Sequence, residues 1–163
     1  MNTFPSSEQI ERACTDLTSA ALIRLLTEID DHGPIPPRGL ARTLPDLTPH
    51  QIRHATERAR TLGLIRTRPG TGLGLTGPGR QLADLYDSAA RWSRTHTHPR
   101  GACDFTARVQ STFRLLAPGP DPVAKPSAVP AEADEDLTRL RTATVHWISN
   151  HWTNNDQDFL EAA

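Results

Sequence analysis

The stretch TPHQIRHATERARTLGLIR, residues 48–66, carries two histidines and four arginines. Wound as a helix, it puts Ile52, Ala55, Ala59 and Leu62 on one side, with Thr56 at the margin. His50, Arg53, His54, Glu57 and Thr61 fall opposite, with Arg58 and Arg60 on the flanks. A guanidinium matches the paired acceptors of guanine or a phosphate, and His50, Gln51 and His54 can reach base edges or phosphates. Glu57 can accept from cytosine or pair with Arg53 four residues earlier. The competing reading is a solvated surface helix with a routine charge pattern.

Other chemistry is thinly represented. The sequence has no phosphate-cradling glycine loop, no G-x-S-x-G and no H-E-x-x-H. The expectation is a protein that is not an enzyme and holds no cofactor. His96, His98 and Cys103 lie close together, but their spacing fits no established zinc site, so ordinary loop histidines are expected. His146 and His151 stand beside Trp147 and Trp152 and read as interface or surface residues. Two cysteines, Cys14 and Cys103, are too few for a disulfide framework.

The 48–66 stretch has clear local punctuation. Thr48 is an N-cap, Pro49 suits the first helical position, Gln51 completes a capping box, and Gly63 is an αL stop. Upstream, Ser6 and Gln9 form a second capping box ahead of Ile10, Ala13, Cys14 and Leu17. Thr18 or Ser19 can start another helix, with Ala21, Leu22, Leu25 and Ile29 in its stripe and Gly33 as its end. Ile35 lies between prolines and must be extended. Pro37 opens a short helix that holds Leu40, Ala41 and Leu44.

Downstream, LIRTRPGTGLGLT reads as two short strands around a Pro-Gly turn. A helix over 76–94 follows, with Leu82, Leu85, Ala89 and Trp92 on one face. Another starts at Asp104 and stripes Phe105, Val109, Phe113 and Leu116. A proline-rich linker spans 117–131, and a last helix over 137–152 aligns Leu137, Leu140, Thr144, Ile148 and Trp152.

Seventeen of the eighteen basic residues are arginine, which with abundant Ala, Pro and Thr points to a GC-rich coding bias. Charge position is therefore more informative than arginine number. Residues 37–100 hold eleven basic and four acidic residues, a net +7, while the segments before and after are each −4. A basic middle between acidic ends suggests an anionic partner for the middle. The N-terminus lacks a secretory layout and no apolar run is long enough to span a bilayer, so the expected location is cytoplasmic and nucleoid-associated.

The order of elements is helix, short strand, short helix, capped helix, hairpin, helix. Together with ALIRLLTEI, LARTLPDLTPHQIRHATERARTLGLIR and LTGPGRQLADLYDSAARW, it resembles the HxlR branch of the wider MarR-like bacterial transcription regulators. The resemblance covers residues 20–94. It departs in the place of Pro78, one residue later than usual, in a short wing, and in Cys14, onto which no redox role is carried.

The expected fold is mainly α with a small β-hairpin. It comprises a winged helix-turn-helix domain over 1–100 and a helical extension over 101–163. The resemblance implies double-stranded DNA binding, with helix 49–62 in the major groove and wing 64–76 on the backbone or minor groove. The expected contacts are Arg38, Arg42, Thr48, His50, Gln51, Arg53, His54, Glu57, Arg58, Arg66 and Arg68.

In that family the first helix and the helices after the wing build a homodimer. The corresponding residues here are Ile10, Leu17, Phe105, Val109, Phe113, Trp147, Ile148 and Trp152. The same apolar stripes could instead fold back on their own chain, hold a small effector between Phe113, Trp147 and Trp152, or exchange the last helix between protomers. The alternative to DNA binding is a winged-helix scaffold for protein–protein interaction or assembly.

Overall fold

The computed structural model describes residues 4–101, 104–117 and 131–152. It is mainly helical with one small antiparallel sheet. In chain order it has α1 (Ser7–Leu17), α2 (Ala20–His32), a 3-10 turn (Pro37–Gly39), α3 (Leu40–Thr43), α4 (Pro49–Thr61), β1 (Ile65–Arg68) and β2 (Gly72–Leu75). Then come α5 (Gly77–Thr95), α6 (Phe105–Leu116), α7 (Ala131–Trp147) and a closing π turn (Ile148–Trp152). Among the described residues no helix is long and apolar enough to cross a membrane.

Two compact units emerge. One is Ser19–Asp84; the other joins the described residues of Met1–Thr18 and Leu85–Ala163. This partition departs from a boundary at residue 100. Helix α1 belongs with the late helices because they bind its C-terminal end. Tyr86 Oη donates to the Leu17 carbonyl, and Gln110 Nε2 donates to the Thr18 carbonyl at 2.9 Å.

In the 19–84 unit, the chain breaks cleanly before α2. Thr18 caps the end of α1, and Ser19 Oγ accepts from Leu22 N at 3.3 Å. The core-facing stripe of α2, Leu22, Ile23, Leu25, Leu26 and Ile29, is buried. It packs on α4 and β2. Ile35 is extended as expected and pairs with β2, exchanging backbone bonds with Leu73 at 3.0 and 2.8 Å. The hairpin register runs from Ile65 opposite Leu75 to Arg68 opposite Gly72.

The first turn of α5 is clamped against the end of α4. Thr76 N donates to the Leu64 carbonyl at 2.9 Å, and Thr76 Oγ1 donates to Gly63 O at 2.5 Å while accepting from Gly79 N at 3.2 Å. The approach is so close that a Cβ on Gly79 would lie 2.1 Å from the Leu64 carbonyl oxygen. The second glycine of LTGPGR, Gly79, is thus fixed by packing, a reason invisible in the local sequence.

In the other unit, the second half of α5 is surrounded by α1, α6 and α7. Thr112 Oγ1 donates to Ala89 O at 3.1 Å, and Trp92 Nε1 donates to Ala133 O at 3.0 Å. Arg141 reaches from α7 to the last carbonyls of α6, Leu115 at 2.8 Å and Leu116 at 3.3 Å. A cation there satisfies acceptors that the helix leaves open and suits the negative end of its dipole.

Helix α7 begins at Ala131, six residues before the expected start at Leu137. Glu132 and Asp134 in its first turn complement the helix dipole, and Ala133 is buried beside Trp92, which together draw AEADED into the helix. Residues 118–130 of the expected linker lie outside the described residues.

Candidate functional site

Helix α4 is built as its sequence directs. Thr48 Oγ1 accepts from Gln51 N at 3.2 Å, and Gln51 Oε1 accepts from Thr48 N at 2.8 Å. At the other end, Gly63 takes φ +68°, its N–H donates to Arg60 O at 2.9 Å, and Leu64 N donates to Ala59 O at 2.8 Å. That pair of bonds is a Schellman stop, in which glycine relieves the strain of the left-handed residue. Ile52, Ala55, Thr56, Ala59 and Leu62 are buried as the core face.

The outward face separates into engaged and unengaged side chains. His50, Arg53, His54 and Glu57 are exposed. The two imidazoles stack at 6.4 Å between centroids. Arg53 and Glu57 form no ion pair with each other, and no side-chain partner for either is found among the described residues. The pairing offered as one role for Glu57 is therefore not made.

Arg58 and Arg60 lie in the last turn, where the helix dipole alone favours cations. Arg53 and the two histidines lack that explanation. The first turn contains no acidic residue, so its positive end is not neutralised from within the helix.

Thr48 Oγ1 and Gln51 Oε1 are engaged in the capping box, which leaves the Gln51 side-chain amide nitrogen as its outward donor. Arg38 and Arg42, on the 3-10 turn and α3, are exposed, as is Arg66 on β1. Arg68 differs from the expectation of an outward contact. It is half-buried and turns back over the hairpin, donating from Nη2 to Leu75 O at 3.4 Å. Its stem runs over Gly74, where an added Cβ would lie 3.4 Å from Arg68 Nε. Its Nε is buried without a hydrogen-bond partner.

Sequence reading missed the clamp that aims α4. Arg24 on α2 makes a forked pair with Asp46 in the turn before α4, at 2.8 and 3.1 Å, and also reaches Glu28 at 3.7 Å. No local signal marks two residues 22 positions apart as partners. The hydrogen bond from Arg24 holds the Asp46 carboxyl below the ordinary carboxylate range. A depressed carboxylate stabilises the fold above its unfolded pKa of about 4, and that contribution is lost as pH falls through the lower folded value. Asp46 is half-exposed, so Asp46→Asn is expected to cost under about 1 kcal/mol at pH 7. The difference from wild type should begin to shrink near about pH 4 and vanish once the pH lies below the folded-state value. A cost that persists unchanged at low pH would assign it to something other than the ion pair.

Residues expected at a homodimer interface are largely covered within the single chain. Leu17, Val109, Phe113, Trp147, Ile148 and Trp152 are buried in the unit that holds them, and Ile10 and Phe105 are half-buried. The stripes close on one another: α6 packs on α1 and α7, and the π turn packs on α1. Tyr86 lies against Phe113 at 5.9 Å. Within the chain this is the fold-back arrangement among those left open by the sequence.

The histidines give no metal cluster among the described residues. His96 and His98 pack on Trp92 at 5.1 and 5.8 Å, and Cys103 lies outside the described residues. His151 packs on Trp147 at 5.2 Å, and burial lowers its pKa.

Cys14 is 4% exposed, and burial pushes its thiol up to about 11. At pH 8 only ~0.1% would be thiolate, against about a quarter for a free cysteine. In a Cys103→Ser background, iodoacetamide should alkylate native Cys14 at least ~100-fold more slowly than the guanidinium-unfolded chain. Comparable rates would contradict the buried, inert thiol.

Comparison with protein families, curated proteins and solved structures finds no match to the chain.

Proposed function

We propose that the chain is a winged helix-turn-helix protein that binds double-stranded DNA with sequence preference and acts as a transcriptional regulator. In this reading α4 lies in the major groove, and the β1–β2 hairpin meets the backbone or minor groove. The observation that carries it is the outward face of α4. Arg53, His50, His54 and Glu57 are exposed there, on a capped helix whose first turn holds no acidic residue.

Arg53 is the group for guanine, and Glu57, free of Arg53, is an acceptor for a cytosine amino group. Arg38, Arg42 and Arg66 are the phosphate contacts, while Arg68 holds the hairpin in shape. Binding at a promoter by such a protein would block or guide polymerase.

Homodimerisation would set two copies of α4 about 34 Å apart on successive turns of DNA. With Phe113, Trp147 and Trp152 buried, such a dimer would use surface other than these three side chains, and light scattering would report it.

The test is titration of the protein with duplex from its own upstream region and with random duplex, over a range of salt. Tighter binding to the former, with affinity falling as salt rises, is the expected result. Equal affinities would remove the specific-regulator reading. Absence of binding to either at low salt would favour the protein-interaction scaffold.

A further inference from the structure

We propose that the groove between the second half of α5 and helix α7 is a binding site for a small organic anion with a flat apolar body. This groove lies wholly within the unit that contains α1, α6 and α7, and it is independent of the DNA reading. Its volume is about 420 Å³, within the range of small-molecule sites.

The floor is apolar. Trp92 and Leu140 line it and are themselves 5% and 8% exposed. The Trp92 N–H is already used by the Ala133 carbonyl, so the indole offers the groove its ring and no donor. A planar apolar body suits such a wall, by stacking as well as by burial.

The rim is positively charged. Arg91 and Arg139 both line the groove, against a single carboxylate, Asp136. Arg139 is held to Asp136 at 3.4 Å, whereas Arg91 has no hydrogen bond or ion pair with any described residue. The two guanidiniums outnumber the one carboxylate, which matches a monoanion.

Inside the rim, His96 Nε2 is buried and has no hydrogen-bond partner; the nearest carboxylate oxygen, Asp136 Oδ2, is 3.6 Å away. A buried ring nitrogen that could hydrogen-bond and does not is unusual and costly. A ligand oxygen entering the groove could satisfy it. Cavity, surplus cation and orphaned nitrogen converge on one place.

The test uses 8-anilinonaphthalene-1-sulfonate, an anion with a planar naphthalene body whose emission rises on apolar binding. N-phenyl-1-naphthylamine, the same ring system without the sulfonate, is the neutral comparison. The expected result is saturable 1:1 binding of the anion, weakened roughly tenfold by Arg91→Ala, the size of one charge-assisted hydrogen bond. Neutral-dye binding should be little changed by that substitution.

Ala143→Trp fills the groove from its exposed edge on α7 and is expected to abolish binding of both dyes. Circular dichroism and thermal melting check that both variants stay folded. If Ala143→Trp unfolds the chain, Ser88→Trp on the α5 wall replaces it as the blocking variant. Failure of the anion to bind overturns the proposal. So does binding that survives a folded blocking variant, or an Arg91→Ala loss equal for both dyes.

Discussion

Gly79→Ala is expected to destabilise the protein by about 3 kcal/mol, a drop of roughly 6–12 °C in melting temperature for a chain of this size. The added methyl carbon would stand 2.1 Å from the Leu64 carbonyl oxygen and 3.0 Å from its carbon. Both are backbone atoms, so no side-chain rotation relieves the contact. The first turn of α5 must lift away from the end of α4. That strains the Thr76 bonds to Leu64 and Gly63 that join hairpin, α4 and α5.

A control lies two residues earlier. Gly77 occupies the same first turn, and a Cβ there meets nothing within 4 Å. Gly77→Ala should be neutral or stabilising by up to about 1 kcal/mol, from helix propensity alone. Calorimetry on the pair separates packing from propensity. Equal melting temperatures for both variants would show that the contact with Leu64 is not the constraint.

Arg53→Ala is expected to cost ~10–100-fold in affinity for the preferred duplex and little for random duplex. Arg66→Ala should weaken both duplexes alike and lower the salt slope by about one. Each is exposed and has no partner among the described residues, so neither change should disturb the fold. Arg68→Ala is the informative contrast. Because Arg68 lies back over Gly74 and bonds to Leu75 O, its loss should lower stability by about 1 kcal/mol with the salt slope unchanged. Competition titrations across salt concentrations read all three. If Arg53→Ala weakens both duplexes equally, Arg53 is a phosphate contact and base discrimination lies elsewhere.

The contrast between Arg53 and Arg68 shows what could be read from the chain alone. Arg53 sits on a helix whose period, cap and stop are all local. Thr48, Gln51 and Gly63 act within three or five residues of their partners, and the facing of every side chain follows from 3.6 residues per turn. Arg68 sits on a four-residue strand, where alternation predicted an outward side chain. Its long stem instead finds the bare surface of Gly74 across the hairpin.

The apolar stripes of α6 and α7 were likewise legible as stripes, since Val109, Phe113, Leu137, Leu140, Ile148 and Trp152 are all buried. Their partner was not. Trp92 bonds to Ala133, 41 residues on, and Gln110 reaches Thr18, 92 residues back. No periodicity in either segment encodes that distance.

By itself, then, the sequence determined the helices and hairpin, the capped ends of α4 and the polar face it turns from the core, because these depend on neighbours within a turn or a strand pair. Tertiary structure alone decided that α1 joins the late helices, that the aromatic stripes close within one chain, that Arg24 and Asp46 aim α4, and that Gly79 must be glycine. Each of these rests on contacts between residues far apart in the chain, where only the packed backbone says which groups meet.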